Sequence, residues 1–186
     1  YPFRNGICPH CGQKRPRRAP LLELAMMLAF VALGFRFAGD VPTLVIAWIY
    51  AAYLLVVLVI DLEHRLVLNV MLAPAAILAA LFSLLPGNPA PLDAILGGVS
   101  GFGAFLLLAL LGRGKMNAGD VKLAGVIGLM VGYPFVLPAL LVGVVLGGLA
   151  ALALLLTRRA GRKSTMAYAP YLALGALLTL GLALGV

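Results

Sequence analysis

Long apolar stretches, interrupted only by short charged clusters, dominate this sequence. About 20 apolar helical residues span a hydrocarbon core of about 30 Å, because an α-helix rises about 1.5 Å per residue. The apolar stretches lie near residues 21–37, 43–60, 70–85, 94–111, 121–132, 135–156 and 168–186. With 63% hydrophobic and 11% charged residues, the chain is far more apolar than a soluble domain, and it lacks the alternating segments of a membrane β-barrel. We therefore predict an all-α polytopic membrane protein with about seven transmembrane helices.

The uncharged run from Leu123 to Thr157 contains two of these stretches. A single helix of this length would measure more than about 50 Å, which exceeds the thickness of a hydrocarbon core. Gly132, Tyr133 and Pro134 offer a break, because glycine adopts turn conformations and proline disfavours helix in the residue before it. We expect the chain to fold back here, so that the fifth helix is short.

The basic residues predict the orientation, since cytoplasmic loops of membrane proteins hold the excess of Lys and Arg. With seven spans and a cytoplasmic N-terminus, all 14 basic residues fall on the cytoplasmic side except Arg36. The net charge of +8 thus reflects topology, and no basic face interleaved with aromatic residues indicates a nucleic-acid partner. We divide the chain into a short cytoplasmic segment, residues 1–19, and a transmembrane domain, residues 20–186.

Paired glycines four residues apart predict close helix contacts, because small residues on one face let two backbones approach. Three pairs follow this pattern: Gly97 with Gly101, Gly143 with Gly147, and Gly181 with Gly185. We interpret all three as helix-packing faces.

The predicted topology places acidic residues on both sides of the membrane. Asp40 and Asp93 fall on the outer side, as solvated carboxylates at helix ends. Asp61 directly follows the apolar run that ends at Ile60, and Asp120 directly precedes the short fifth stretch. Both therefore lie at the cytoplasmic membrane boundary, where an ionisable side chain indicates either a function or a pairing partner.

Two carboxyl groups at a partly dry site would act as a coupled pair that holds one proton. The ionised carboxyl of such a pair takes a proton from water as the water attacks an amide carbonyl, and the protonated carboxyl donates to the carbonyl oxygen or to the leaving amine. Other hydrolytic machinery is not evident, because neither His10 nor His64 belongs to a recognisable triad and the sequence has no HExxH motif. The pattern favours an aspartic hydrolase.

Four segments resemble motifs of the bacterial type IV prepilin leader peptidases, which are GxGD-type intramembrane aspartic peptidases. Residues 61–69, DLEHRLVLN, resemble the first aspartate motif, and residues 117–123, NAGDVKL, resemble the GxGD motif with Asn117 in place of the first glycine. Residues 8–24 and 169–175 resemble the junction between the zinc knuckle and the first helix and the entry to the last helix. Leu68 stands where the family often has proline.

The resemblance implies removal of a basic leader peptide from prepilin or pseudopilin precursors at the cytoplasmic face of the bacterial inner membrane. Asp61 and Asp120 would be the catalytic residues, supported by Gly119 and Lys122 of the second motif. Lys122 would act on the carboxylate by charge, orient the motif or bind a substrate acid; alternatively, it simply anchors the helix at the interface.

Cofactors are not expected to take part in the peptidase reaction. Cys8 and Cys11 form one CxxC, which supplies two of the four ligands that a structural zinc site needs. The resemblance implies zinc there only if other residues or another chain complete the site. Family members also methylate the new N-terminus with S-adenosylmethionine, an activity that we do not assign to this chain.

The alternative to a peptidase is a small transporter coupled to protons or cations, in which membrane acids bind the ion. Such acids should lie near the membrane midplane, whereas Asp61 and Asp120 are predicted at helix ends. A purely structural membrane subunit, with its acids paired to Lys or Arg, is a further alternative. Asp→Asn substitutions would discriminate among these functions.

Overall fold

The computed structural model describes residues 19–64, 67–112, 116–157 and 168–185, with the backbone alone at 154–155. Within these ranges the chain forms helices and no strands, which confirms the predicted all-α class. The helices are α1 (Ala19–Arg36), α2 (Val41–His64), α3 (Asn69–Phe82), α4 (Pro91–Leu111), α5 (Ala118–Val131), α6 (Val136–Leu156) and α7 (Ala169–Ala183). Each helix coincides with one predicted apolar stretch.

The break inside the long uncharged run is confirmed. Helix α5 ends at Val131, and Gly132 follows with φ of 70°, a left-handed conformation that glycine adopts without a steric penalty. The backbone N–H of Tyr133 then donates to the carbonyl oxygen of Asp93 at 2.9 Å. Helix α6 begins at Val136, so the chain reverses direction within four residues.

Four helices, α1, α2, α4 and α6, are long and apolar enough to cross a membrane. Helices α3 and α7 are apolar but shorter, and α5 has 14 residues. Exposed leucine and valine side chains cover the long helices, as expected for surfaces in contact with lipid. The chain is thus a multi-pass membrane protein, while the number of seven spans and the cytoplasmic N-terminus stay predictions.

Helices α5 and α7 form the centre of the bundle. Helix α5 packs against α3, α4, α6 and α7, and α7 packs against α1, α2, α5 and α6. Most side chains of α5 are buried, whereas α1 buries only Leu33. A functional group on α5 is therefore enclosed by protein on several sides.

Two of the three predicted glycine faces lie in helix contacts. A Cβ on Gly101 would lie 2.5 Å from the carbonyl oxygen of Ala124, and Gly97 faces Gly128 equally closely, so α4 and α5 touch backbone to backbone. Gly143 similarly faces α7, where a Cβ would lie 3.0 Å from the Cα of Leu172.

The third glycine pair was predicted wrongly. A Cβ on Gly181 would meet nothing within 4 Å. Gly185 lies beyond the end of α7 with φ of 81°, so that it serves a turn rather than a helix face. The four-residue spacing at the end of α7 thus does not mark a helix contact, since the spacing indicates a face only where the helix continues.

The bundle has two ends with different acids. We call one the Asp93 end, where Asp40, Gly87, Asp93 and Gly132 lie close together and the N–H of Gly185 donates to the carbonyl oxygen of Gly87 at 2.8 Å. We call the other the Asp120 end. It contains the end of α2 and the beginnings of α3, α5 and α7.

Candidate active site

Asp61 lies in the last turn of α2, with only 1% of its surface exposed. Leu54 and Leu58 precede it by seven and three residues, so the three side chains share one face of the helix, and all three are buried. The apolar stripe that holds α2 in the bundle therefore ends in a carboxyl group. A buried carboxyl in this position is costly unless neighbouring polar groups compensate for it, so its presence here points to a function.

Asp120 is the third residue of α5 and has 2% of its surface exposed. Asn117 is the N-cap, and its backbone N–H donates to the Asp120 carboxyl, as in one half of a capping box. A second hydrogen bond comes from the backbone N–H of Ala169, at the beginning of α7. The carboxyl also lies within electrostatic range of Asp61. Two acids 59 residues apart in the sequence thus meet at one site.

The pairing between α4 and α5 shows how deep Asp120 lies. The helices are antiparallel, and Ala124 contacts Gly101, so Asp120, one turn earlier, lies level with Phe105. Helix α4 continues from there to Leu111, which is about 9 Å farther at 1.5 Å per residue. Asp120 is therefore recessed below the end of a neighbouring helix, and its access to bulk water is restricted.

The two supporting residues of the second motif have different surroundings. A Cβ on Gly119 would lie 2.8 Å from the Cβ of Val67, so this position allows the segment after α2 to approach α5. Lys122 is exposed, and its Nζ donates to Asn69 Oδ1 at 3.0 Å. Residues two apart on a helix do not share a face. The Lys122 side chain thus reaches α3, and a direct action of its charge on the Asp120 carboxylate stays a prediction.

The sequence analysis assigned no role to two residues of the site, Ala169 and Asn69. Ala169 contributes through its backbone N–H, which no side-chain pattern reveals, although the resemblance of residues 169–175 to a family motif marked this region. Asn69 was the last residue of the first quoted motif and had no assigned role. Its partnership with Lys122 depends on how α3 lies against α5, and neither motif contains that information.

Asp40 and Asp93 lie away from this pair. Asp40 accepts hydrogen bonds from the backbone N–H and the hydroxyl of Thr43, and so caps the start of α2. Asp93 is half-buried in the first turn of α4. Both belong to the opposite end of the bundle from Asp61 and Asp120.

The predicted cysteine site lies outside the described residues. Cys8 and Cys11 precede Ala19, the first residue of α1. Among the residues that the structure describes, no three His, Cys, Asp or Glu side chains are grouped so as to hold a metal ion. Zinc binding by the CxxC therefore stays a prediction.

Comparison with known proteins relates this site to one family. The model of the type IV leader peptidase family matches residues 48–152, which include both aspartates. No solved structure gives a significant match.

Curated relatives extend the similarity over nearly the whole chain. A prepilin leader peptidase/N-methyltransferase of Bacillus subtilis is 31% identical over 95% of this chain. Proteins of the same name from Aeromonas hydrophila and Pseudomonas putida are each 29% identical, over 91% and 94% of it. The chain spans 71%, 60% and 62% of the lengths of these three relatives. With the family model covering more than half of its residues, the chain belongs to the type IV leader peptidase family of hydrolases.

Proposed function

We propose that this protein is a membrane-embedded aspartic endopeptidase that removes the basic leader from type IV prepilin-like or pseudopilin precursors. The observation that carries the proposal is the meeting of two buried carboxyl groups, from α2 and α5, within electrostatic range of each other. The reaction takes place at the cytoplasmic face of the inner membrane, with the lipid bilayer around α1, α4 and α6.

The chemistry requires one proton between Asp61 and Asp120. Like charges at close range in a poorly hydrated site oppose each other, so the pair favours the state in which one carboxyl is protonated. The ionised carboxyl takes a proton from a water molecule as its oxygen attacks the scissile carbonyl carbon. The protonated carboxyl donates its proton to the carbonyl oxygen, which gives a tetrahedral diol intermediate. As the C–N bond breaks, the other carboxyl passes the proton it took from water to the leaving amine, and a diol hydroxyl returns a proton to the first carboxyl, so the protein forms no covalent intermediate.

Backbone hydrogen bonds hold Asp120 in place for this role. The N–H groups of Asn117 and Ala169 fix its carboxyl from two different helices. The side chain therefore needs little reorganisation when charge moves during the reaction, which is how preorganised sites lower a barrier.

The depth of the site suits the proposed substrate. A leader peptide that precedes an apolar segment presents its scissile bond at the membrane boundary, and Asp120 lies about 9 Å below the end of α4, by the helical rise. The names of the relatives support prepilins as substrates. A soluble peptide without the apolar segment should be a poor substrate.

The direct test incubates the purified protein in bilayer nanodiscs with a model prepilin that carries a basic leader and an apolar segment. Mass spectrometry then reports whether the leader is released and at which bond. Asp61→Asn and Asp120→Asn should each lower the rate by at least about 10³-fold, because each removes half of the acid–base pair.

Asp93→Asn is the matched control, since Asp93 also lies in the first turn of a helix. Its rate should stay within about twofold of wild type, because surface changes away from a site are usually small. Failure of the wild-type protein to cut the precursor, or normal cleavage by either Asp61→Asn or Asp120→Asn, would contradict the proposal.

A further inference from the structure

The two aspartate-bearing helices are held mainly by different neighbours. Helix α2 packs against α1 and α7, whereas α5 packs chiefly against α3, α4 and α7. The separation of Asp61 and Asp120 is therefore fixed indirectly. One link is α7, which contacts both helices and donates the Ala169 N–H to Asp120.

A second link runs through the segment that follows α2. Val67 contacts the first turn of α5 at Gly119, where a Cβ would lie only 2.8 Å away. Two residues later, Asn69 Oδ1 accepts a hydrogen bond from Lys122 Nζ at 3.0 Å. We call the contacts of Val67 with Gly119 and of Asn69 with Lys122 the α3–α5 clasp. It ties the chain eight residues after Asp61 to a residue two after Asp120.

The hydrogen bond between Lys122 and Asn69 is suited to a stable structural contact. A lysine Nζ is a cationic donor, and a hydrogen bond from a charged donor is stronger than one between neutral groups. Asn69 is the first residue of α3, so its backbone position is set by a helix that itself packs on α5.

We propose that Asn69 is a positioning residue, which through Lys122 fixes the end of α2, and hence Asp61, relative to Asp120. The inference rests on the proposed peptidase function. Small errors of position have large consequences in such a pair, since a misplacement of about 1 Å can lower a rate about 10²-fold. Loss of the clasp leaves both carboxyls present but imperfectly aligned.

The test measures steady-state cleavage over a range of model prepilin concentrations by Asn69→Ala, Lys122→Met and the double variant. We expect each single variant to lose about 10- to 100-fold in kcat with KM within about twofold, because alignment and not binding changes. The double variant should be no slower than the slower single variant, since both remove the same hydrogen bond. Asn69→Asp, which keeps the acceptor oxygen, should recover at least half of the wild-type rate.

Asn88→Ala is the matched control, an identical substitution at the Asp93 end. Within the described ranges, Asn88 Nδ2 donates to the carbonyl oxygen of Pro86, a contact far from the carboxyl pair, so its loss should leave kcat unchanged. Hydrogen exchange provides a readout independent of cleavage. The amides of the first turn of α3 should exchange faster in Asn69→Ala and Lys122→Met, and not in Asn88→Ala.

The possible outcomes distinguish a failure of the positioning role of Asn69 from a failure of the proposed peptidase function. Cleavage by wild type, with normal kcat in Asn69→Ala and Lys122→Met, overturns the clasp and leaves the peptidase proposal intact. A rise in KM with normal kcat also overturns it, because the two residues would then bind substrate. Absence of cleavage by wild type overturns both proposals, whatever the exchange data show for the clasp.

Discussion

The two ends of the bundle hold aspartates in equivalent helical positions and in opposite surroundings. Asp93 and Asp120 each occupy the third residue of a helix, α4 and α5 respectively. Asp93 is half-buried at a turn, while Asp120 is 2% exposed and lies beneath the start of α7 and beside Asp61. The helical position alone therefore does not distinguish a half-buried acid from one that is buried beside a second carboxyl. The packing of the neighbouring helices sets the two acids apart.

The comparison also shows what each end contributes. At the Asp93 end, polar groups stabilise turns and helix starts, as when Asp40 caps α2 through Thr43. At the Asp120 end, two carboxyls are held together out of water, an arrangement that lowers the stability of the fold. We therefore expect substitutions to affect stability at the first end and catalysis at the second.

After the Asp→Asn changes, the largest difference should come from lengthening the acids. Asp61→Glu and Asp120→Glu each push a carboxyl by about one methylene within a packed site, and we expect a loss of about 10²-fold in cleavage rate. Asp93→Glu has room at its half-exposed position and should stay within about twofold of wild type. The rate of cleavage of the model prepilin measures these effects. Equal losses at the two ends would contradict the claim that only the Asp120 end takes part in catalysis.

Two glycines give the next contrast. Gly119→Ala places a Cβ against Val67, so we expect about a tenfold loss of rate from the displaced segment, with little change in stability. Gly87→Ala is strained by its φ of 78° and by contact with Thr43, and should lower the free energy of unfolding by about 1–3 kcal/mol. Its rate per folded molecule should be normal. Thermal unfolding and cleavage, measured on both variants, check these predictions. A loss of stability in Gly119→Ala with a loss of rate in Gly87→Ala would contradict them.

A smaller effect is expected from the helix cap. Asp40→Ala removes the acceptor for the N–H of Thr43 and should destabilise the protein by about 1 kcal/mol, the usual contribution of an N-cap. Thermal unfolding in detergent measures the change. A loss of cleavage rate without a loss of stability would show that the Asp93 end contributes to catalysis.

The smallest effect should come from metal removal. We propose that the peptidase reaction uses no metal, since the two carboxyls supply both the acid and the base. Incubation with a chelator should therefore change the cleavage rate by less than about twofold. A complete loss that zinc restores would show that Cys8 and Cys11 belong to a site needed for activity.

Much of the fold could be predicted because the bilayer constrains it strongly. The apolar stretches located every helix, and Gly132 with Pro134 located the reversal between α5 and α6. The positions of the acids along these stretches also placed Asp61 and Asp120 at a common end. These predictions needed only the length of a helix and the distribution of charge.

Other features depend on which helices become neighbours. The burial of Asp120 follows from the packing of α5 among four helices, and the Ala169 hydrogen bond follows from the position of α7. Lys122 was assigned by its closeness in sequence to Asp120, yet its side chain reaches Asn69 on α3. Spacing along one helix indicates a face, and only the fold shows what that face meets.

The most direct measurement of the central claim is a double-mutant cycle on the two aspartates. Single-turnover cleavage of the model prepilin would be recorded for wild type, Asp61→Asn, Asp120→Asn and the variant with both changes. If the carboxyls act as one acid–base unit, all three variants share the same residual rate, at least about 10³-fold below wild type. If the losses multiply in the double variant, or one single variant retains most of its activity, the two groups do not work as a pair.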